Sequence, residues 1–402
     1  MTRAPAPRWR AEELAYCSNA HPGESLVELE GTVRNHVDAV RRARAAPAAM
    51  GAGLWVAAQA AQTLRGDPAA LERFRAALKD AHLDLFTLNG FPYGNFHAAA
   101  VKTAVYLPDW SDAKRYAYTL NLAGVLAELL PAERAFGTIS TLPLGYGALW
   151  NDVKHAQALE HLVRLAGDLA ALREATGKRI VVCLEMEPDC ALQRTEQMLG
   201  FFGDDLPAAA RRHDMPMEIV NAHLGLCFDT CHQAVMFEDC ADSLAQLRHA
   251  GITIGKIQLS SALELTQPGS AEALNALAAF DEPRYLHQVK ARHNGAVVGV
   301  IDLPAALQGS ALPTDGVWRV HFHVPIQARL DGQALRTTQP AIHSTLDYLA
   351  TDLELSPHLE VETYTWNVLP LQLRPTDDAA LHAGLAGEID WLQAELAQRG
   401  LL

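Results

Sequence analysis

Eight apolar segments of strand length recur along this chain of 402 residues, and a helical pattern follows each of them. Most are continuous apolar runs, which is typical of strands buried on both faces of a parallel sheet. The predicted strands are 14–19, 53–58, 83–90, 136–143, 179–188, 224–232, 252–261 and 359–366. Eight βα units in succession favour an α/β fold of the (β/α)8 type, a TIM barrel, over an open doubly wound sheet. No G-x-G-x-x-G loop follows a run, which weighs against the dinucleotide-binding alternative.

The segments between the runs have helical periodicity. Apolar residues spaced by three and four positions predict a helix between 26 and 40. Gly177 and Gly251 mark the ends of two later helices, since glycine is favoured just past a helix C-terminus. The remaining predicted helices are 68–79, 111–130, 153–176, 189–202, 239–250 and 376–399.

One connection is too long for a simple βα unit. Residues 262–316 predict an insertion between the seventh and eighth strands of a single barrel domain, 1–402, in which 376–402 is a C-terminal helix. The run "VWRVHFHVPI" (317–326) is interpreted as a strand that ends near Pro325, because proline cannot donate a ladder hydrogen bond. Whether this run belongs to the barrel or to an arm of the insertion stays open.

Composition excludes several classes of protein. The net charge of −14, from 33 basic and 47 acidic residues, disfavours binding to nucleic acid. No stretch is apolar enough to predict a membrane span, and the first 14 residues do not resemble a signal peptide. Six cysteines without a C-x-x-C pair predict reduced thiols in a cytoplasmic protein, with no disulfide scaffold and no structural zinc site.

Polar side chains cluster at the carboxyl ends of the predicted strands, where such barrels carry their chemistry. Because strand side chains alternate, residues two apart share a face. The rim candidates are Glu185 and Glu187, Asp229 and His232, Lys256, Gln258 and Ser260, Glu360 and Glu362, and the pair His321 and His323 of the later run. A buried carboxylate needs a partner, so at least one of Glu185 and Glu187 is interpreted as a metal ligand.

Two of these residues carry open alternatives. Glu360 is interpreted as a solvated strand-end carboxylate, or one that lies low in the barrel. Lys256 is either an inward-facing catalytic cation or the partner of a carboxylate. For the two histidines, His323 is expected nearer the rim and His321 deeper, where a histidine more often has a structural role.

The strand ends resemble a known superfamily. "CFDTCH" (227–232) is similar to the Asp-Thr-Cys-His strand end of endonuclease IV and to the Asp-x-x-His of xylose isomerase-like barrels. "VVCLE", "KIQLSS" and "LEVET" resemble the neighbouring strands of that site, in the same order. At full length the chain resembles the EboE family, barrels of the Ebo metabolite-traffic gene cluster. The stretches that carry this likeness are "YCSNAHPGES", "FTLNGFPYGNFH", "STLPLGY", "CLEMEPDC" and "HFHVPI".

The resemblance implies a xylose isomerase-like barrel with one divalent ion, Mn, Mg or Zn, bound by Glu185, Asp229, Gln258 and Glu362. Asn89, Ser140 and Thr141 stand where endonuclease IV has histidines, which argues against a three-metal nuclease. The candidate catalytic residues are Glu185, Glu362, Lys256 and His323. The candidate substrate contacts are His232, Glu187, Asn89, Phe91, Tyr93, Trp150 and His321.

These residues predict a metal-dependent isomerase or epimerase that removes a proton beside a polarised carbonyl. The expected partner is a small polyol, sugar or cyclitol-like metabolite, with other Ebo-cluster proteins as further partners. Two alternatives stay open: another metal-dependent reaction on the same barrel, such as hydrolysis or dehydration, and a metabolite-binding protein without turnover.

Overall fold

The computed structural model describes residues 7–45, 48–330 and 334–402. The prediction that the first 14 residues do not form a signal peptide therefore falls partly outside the described residues. The described residues form thirteen strands in two sheets. In chain order these are β1 Ala15–Tyr16, β2 Met50–Trp55, β3 Leu83–Asn89, β4 Phe136–Thr141, β5 Arg179–Glu185, β6 Leu224–Asp229, β7 Ile254–Leu259, β8 Ser261–Leu265, β9 Val289–His293, β10 Ala296–Val300, β11 Trp318–Val324, β12 Leu335–Thr337 and β13 His358–Val361.

Eight of these strands form a closed parallel barrel. Their order is β1-β13-β7-β6-β5-β4-β3-β2, and every pairing between them is parallel. Cys17, just after β1, forms a parallel bridge with Gly53 of β2 and so joins the two ends of the sheet. Helices follow the strands and cover the outside, and the structure confirms the predicted (β/α)8 barrel.

Fifteen α-helices lie in the described part of the chain. They are α1 Leu26–Thr32, α2 Asp38–Ala43, α3 Ala58–Gly66, α4 Pro68–Asp80, α5 Ala113–Leu129, α6 Asp152–Thr176, α7 Thr195–Gly200, α8 Leu206–Arg212, α9 Met217–His223, α10 Thr230–Val235, α11 Cys240–His249, α12 Ala271–Ala278, α13 Leu303–Leu307, α14 Gln339–Thr351 and α15 Asp378–Gln398. π-Helical turns at Val33–Val37 and Phe201–Asp205 join α1 to α2 and α7 to α8. Within the described residues, no helix is both long and apolar enough to span a membrane.

The second strand begins earlier than its sequence predicts. β2 runs from Met50 to Trp55, whereas the predicted run was 53–58, and α3 already begins at Ala58. Gly51 and Gly53 interrupt the apolar pattern in the first half of the strand, so that half was not predicted. At Gly53 an added Cβ would lie 1.8 Å from Glu360 Oε1, so a glycine is needed for the carboxylate to fit inside the barrel.

A second, antiparallel sheet is built between β7 and β13. Its order is β10-β9-β11-β8-β12, and it extends to Thr337, beyond the predicted insertion boundary at 316. The run "VWRVHFHVPI" supplies β11, which is the central strand of this sheet and not a barrel strand. β8 begins at Ser261, two residues after β7 ends, so the second sheet starts at the carboxyl rim of the barrel.

Candidate metal centre and substrate cavity

Three buried carboxylates meet at the carboxyl end of the barrel. Glu185 ends β5, Asp229 ends β6 and Glu362 follows β13 directly. Each contributes a carboxylate oxygen, and these oxygens lie within 4.8 Å of one another. The three side chains come together because parallel strands of a barrel end at one rim. All three residues are at least 95% buried, with exposed fractions of 2%, 0% and 5%.

Asp229 uses its two oxygens differently. Oδ1 accepts hydrogen bonds from the backbone N–H of His232 at 2.9 Å and from the Ser260 hydroxyl at 2.7 Å. The first of these bonds caps the N-terminus of α10. Oδ2 is buried and has no hydrogen-bond partner among the described residues. Asp229 therefore fixes the local backbone with one oxygen and leaves the other for a ligand.

Glu362 is held by two amides. The side-chain nitrogens of Asn19 and Asn89 donate to its Oε1 at 2.8 and 2.9 Å. The side-chain oxygen of Asn89 in turn accepts from the backbone N–H of Phe91 at 2.9 Å, which fixes the orientation of that amide. Two donors on one oxygen hold the Glu362 carboxylate in a single orientation.

The carboxylates repel one another in a buried site. Burial raises the pKa of Glu185 well above its ordinary value, and the nearby Glu362 and Asp229 raise it further. Burial likewise raises the pKa of Glu362, with Asp229 and Glu360 adding to the effect. Glu185 Oε2 is also buried without a hydrogen-bond partner in the described chain. Unpaired buried oxygens of like charge are the donor set that suits a divalent cation.

Three imidazoles lie beside these carboxylates. His232 Nε2 is 3.1 Å from His321 Nε2, which is 3.3 Å from His323 Nε2. His232 belongs to α10 of the barrel, whereas His321 and His323 are delivered by β11 of the second sheet. Burial lowers the pKa of His323 to about 4 and holds the pKa of His321 well below its ordinary value. Both histidines reach the site, although their strand is not part of the barrel.

Glu187 adds a fourth carboxylate. The Tyr106 hydroxyl donates to its Oε1 at 2.7 Å, and His321 Nδ1 lies 3.7 Å from the same oxygen. Burial raises its pKa to about 7, although His232 and the Tyr106 hydrogen bond oppose that shift. A carboxyl group of this pKa can exchange a proton near neutral pH.

Below the rim, Lys256 forms an ion pair with Glu360. Lys256 Nζ is 2.7 Å from Glu360 Oε2, and both side chains are fully buried. Burial acts to lower the lysine pKa, but Glu360 opposes this and the net effect raises it. The interpretation of Glu360 as a solvated carboxylate is therefore wrong, while its alternative, a low position in the barrel, agrees with the structure. Of the two roles considered for Lys256, the geometry favours the partner of a carboxylate.

Gln258 belongs to β7, between β6 and β13. Gln258 is in register with Asp229 of β6 and with Glu360 of β13. Glu360 precedes Glu362 by two residues on the same strand end. Oε1 of Gln258 accepts from the Cys227 thiol at 2.9 Å. The structure brings Glu185, Asp229 and Glu362 together, whereas the ligand role of Gln258 stays a prediction.

A partly open cavity lies above the carboxylates. Glu185, Glu187 and Glu362 reach it from the barrel side, and His232, His321 and His323 line it as well. Asn19 and Asn89 contribute amides. The apolar wall consists of Phe91, Pro92, Phe96, Val101, Val105, Tyr106, Tyr285, Leu286 and Tyr364.

Two predicted substrate contacts lie outside this cavity. Tyr93 packs against Tyr118, with ring centroids 5.1 Å apart, and lines a separate surface depression. Trp150 packs beside Gly145, and its indole N–H donates to His155 at 3.4 Å. Both follow their strands closely in sequence, but the loops carry them away from the barrel axis.

The sequence interpretation also missed residues that the structure places in the cavity. Asn19 follows the first strand, so its position at a strand end was a usable signal. Tyr106 and Tyr285 gave no such signal, because they lie in long connections whose folding depends on distant contacts. Gln288 hydrogen-bonds both His321 and the Tyr106 hydroxyl.

Several solved structures are similar in overall shape. A xylose isomerase domain protein from Planctomyces limnophilus matches at 12% identity and a TM-score of 0.48, covering 96% of each chain. A D-tagatose 3-epimerase-like protein matches at 12% identity and 0.46, covering 96% of this chain and 99% of that one. The IOLI protein with a bound zinc atom matches at 11% identity and 0.46, covering 96% and 98%. At these scores the likeness transfers no residue role or activity.

Sequence comparisons give no further guide. No protein-family model matches the chain, and no curated protein matches it significantly. The likeness to the EboE family therefore rests on the motifs alone and stays a prediction.

Proposed function

We propose that this chain is a metal-dependent isomerase or epimerase acting on a small polyhydroxylated carbonyl compound, such as a sugar or a cyclitol derivative. The observation that carries the proposal is the convergence of Glu185, Asp229 and Glu362 beside a cavity that Glu185 and Glu362 line. Structural carboxylates are normally paired with cations, whereas these three face one another.

The residues present fit a divalent cation. Glu185 Oε2 and Asp229 Oδ2 are buried oxygens without hydrogen-bond partners in the described residues. When bound, such an ion would polarise a substrate carbonyl and make the adjacent C–H more acidic. Gln258 is omitted from the proposed ligands, since its Oε1 already accepts from the Cys227 thiol.

In this proposal Glu185 and Glu362 are the acid and base. They extend from β5 and from the end of β13, so they approach the cavity from different strands. One removes the proton from the carbon next to the carbonyl, and the other returns a proton, to the opposite face in an epimerase or to the neighbouring carbon in an isomerase. Asn19 and Asn89 act as positioning residues, because they hold the Glu362 carboxylate through Oε1.

The walls of the cavity suit a polyol. Phe91, Tyr106 and Tyr364 offer apolar ring faces for the C–H surface of a sugar ring. Glu187 and the two asparagines offer polar groups to hydroxyls on the other side. This division into an apolar wall and a polar floor supports a small polar metabolite over a lipid or an extended polymer.

Two predicted catalytic roles are changed in the proposal. Lys256 serves as the partner of Glu360, at 2.7 Å, and not as a cation at the substrate. The Nδ1–H of His323 donates to the backbone carbonyl of Glu362 at 2.8 Å, so Nε2 of the neutral ring carries a lone pair. In that tautomer His323 cannot donate to a developing oxyanion through Nε2.

We extend the proposal to the cellular context of the protein. All six cysteines are free and buried, which supports residence in a reducing compartment such as the cytoplasm. If the EboE-like motifs reflect common ancestry, the metabolite would be one handled with other Ebo-cluster proteins. Affinity purification with those proteins as candidates tests this part separately.

Solvent deuterium exchange tests the chemistry. Metal-reconstituted protein is incubated in D2O with a panel of ketoses, aldoses and keto-cyclitols, and loss of the C–H signal next to the carbonyl is followed by NMR. Exchange with at least one compound is expected, and Glu185→Gln and Glu362→Gln should each abolish it. Glu264→Gln is the matched control, because that carboxylate pairs with Arg319 at 2.9 Å outside the cavity.

The other outcomes identify the alternatives. Cleavage or dehydration of a compound without prior exchange would contradict the proposal in favour of a hydrolase or lyase. Binding of a panel compound without exchange or conversion would indicate a metabolite-binding protein.

A further inference from the structure

In the cavity, His321 Nε2 lies close to the Nε2 atoms of both His232 and His323. His232 Nε2 and His321 Nε2 are 3.1 Å apart, and His321 Nε2 and His323 Nε2 are 3.3 Å apart. All three residues are buried, with exposed fractions of 4%, 4% and 1%. Such close approach needs either a shared hydrogen or a shared cation, since two nitrogen lone pairs repel each other.

The second ring nitrogens indicate where the hydrogens are. In each ring Nδ1 lies within hydrogen-bonding distance of a carbonyl oxygen, which can only accept. The acceptors are the Met186 backbone for His232 (2.8 Å), the Gln288 side chain for His321 (2.7 Å) and the Glu362 backbone for His323 (2.8 Å). In the neutral rings each Nδ1 therefore holds the hydrogen, and each Nε2 presents a lone pair.

The contact to Gln288 is fixed by its own surroundings. The side-chain nitrogen of Gln288 donates to the backbone carbonyl of Pro188 and to the Tyr106 hydroxyl, both at 3.1 Å. A flipped amide would place its oxygen against the Pro188 carbonyl, so the orientation shown is the favourable one. His321 is consequently held with Nε2 toward the other two rings. Histidine ligands of metal ions are typically held in this way through their other nitrogen.

The strand that carries His321 and His323 is fastened on both sides. The His287 ring donates through Nδ1 to the backbone carbonyl of His321 at 2.8 Å, and the Thr365 hydroxyl donates to that of His323. These bonds fix β11 between the second sheet and the segment after β13. The two imidazoles are thus held in place by the backbone as well as by their own contacts.

From this arrangement we infer a second metal site, formed by the Nε2 atoms of His232, His321 and His323, next to the carboxylate cluster. Two nitrogens bound to a tetrahedral ion at about 2.0–2.1 Å lie about 3.3 Å apart, close to the spacings seen here. Three imidazoles favour zinc or cobalt over magnesium, which prefers oxygen ligands. This site goes beyond the reaction proposed above and does not depend on it.

Asp229 links the two sites. It belongs to the group with Glu185 and Glu362, and also to a group with His232 and His323, in each of which the ligand atoms lie within 4.8 Å of one another. A carboxylate with one oxygen unpaired can complete the imidazole site or bridge two ions. The cavity floor is therefore a two-ion centre with an oxygen-rich half from the barrel and a nitrogen-rich half completed by the second sheet.

Zinc stoichiometry and X-ray absorption test the second site. Chelator-treated protein is reloaded with zinc, freed of excess metal by gel filtration and analysed for metal content and for imidazole scattering. About two ions per chain are expected for the unaltered protein, and about one for His321→Ala or His323→Ala, with reduced imidazole scattering. His321→Gln and His323→Gln, which keep more of the side-chain volume, replace the alanine variants if those fail to fold.

His293→Ala is the matched control, since His293 lies on β9 of the same sheet and pairs with Asp315 at the surface. Its zinc content should equal that of the unaltered protein. Unchanged zinc content in the His321 and His323 variants, or zinc-loaded protein without imidazole scattering, would overturn the inference. One ion lost only from Glu362→Gln would also overturn it, while leaving the proposed function intact. One ion lost only from the histidine variants would support it and remove the metal basis of the proposed function.

Discussion

The buried ion pair of Lys256 and Glu360 permits a quantitative test of whether the lysine is structural. Nζ and Oε2 are 2.7 Å apart, and neither side chain is exposed. Removing one partner leaves a buried charge without compensation, which typically costs about 3–5 kcal/mol. In Glu360→Gln the ammonium would lose its counter-charge and keep only neutral acceptors, among them Ser140 Oγ at 3.2 Å and the Leu88 carbonyl at 3.4 Å. In Lys256→Met the carboxylate would have to take up a proton.

We expect each single variant to lose about 3–5 kcal/mol of unfolding free energy, and the double variant to lose less than their sum by about 2–3 kcal/mol. Urea unfolding at constant slope measures these differences. Glu264→Gln provides the comparison, because its partner Arg319 is a quarter exposed and such a pair contributes at most about 1 kcal/mol. Unchanged stability in both single variants would refute the reasoning. Full stability of Lys256→Met together with loss of deuterium exchange would identify Lys256 as the catalytic cation.

Three further substitutions test other parts of the structure. Asp229→Asn should release metal without lowering the stability of the metal-free protein, because asparagine can still cap α10. Elemental analysis and melting curves with and without metal measure these two effects. Destabilisation with unchanged metal content would contradict the prediction. Burial raises the pKa of Glu388 from 4.5 to about 7. Its contribution to the free energy of unfolding is therefore full below about pH 4.5 and is lost as the pH rises through 7, a difference of about 3 kcal/mol. Glu388→Gln should flatten the pH dependence of urea unfolding over that range, and an unaltered slope would argue against it. Gly53→Ala should lower the free energy of unfolding by about 1–3 kcal/mol, because the added methyl group displaces Glu360. A thermal midpoint equal to that of the unaltered protein would show that the barrel interior adjusts to the methyl group without loss of stability.

The parts of the fold that the sequence predicted are those controlled by short-range pattern. β5 and β6 are apolar runs that end on a carboxylate, so their first residues and the placement of Glu185 and Asp229 at the strand ends could be inferred locally, although both strands end three residues before the predicted runs. The first half of β2 was not predicted, because Gly51 and Gly53 give it the composition of a loop. Its glycines are explained only by Phe86 and Glu360, which approach them from other strands.

The rest of the site depends on contacts distant in sequence. The alternation in β11 correctly placed His321 and His323 on one face, yet nothing near them in sequence shows that this face meets His232. The choice between two roles for Lys256 could not be made locally either, because its partner Glu360 follows 104 positions later on a different strand.

The position of the second sheet has a consequence for synthesis of the chain on the ribosome. β7 and β13 pair in the finished barrel, but residues 260–357 lie between them. At about 5–20 residues per second, roughly 5–20 s pass between completion of one strand and arrival of the other. During that interval β7 presents an unpaired edge, which is a site of aggregation unless it is covered. The nascent chain already carries Glu185 and Asp229 then, whereas Glu362 arrives with the strand that closes the barrel.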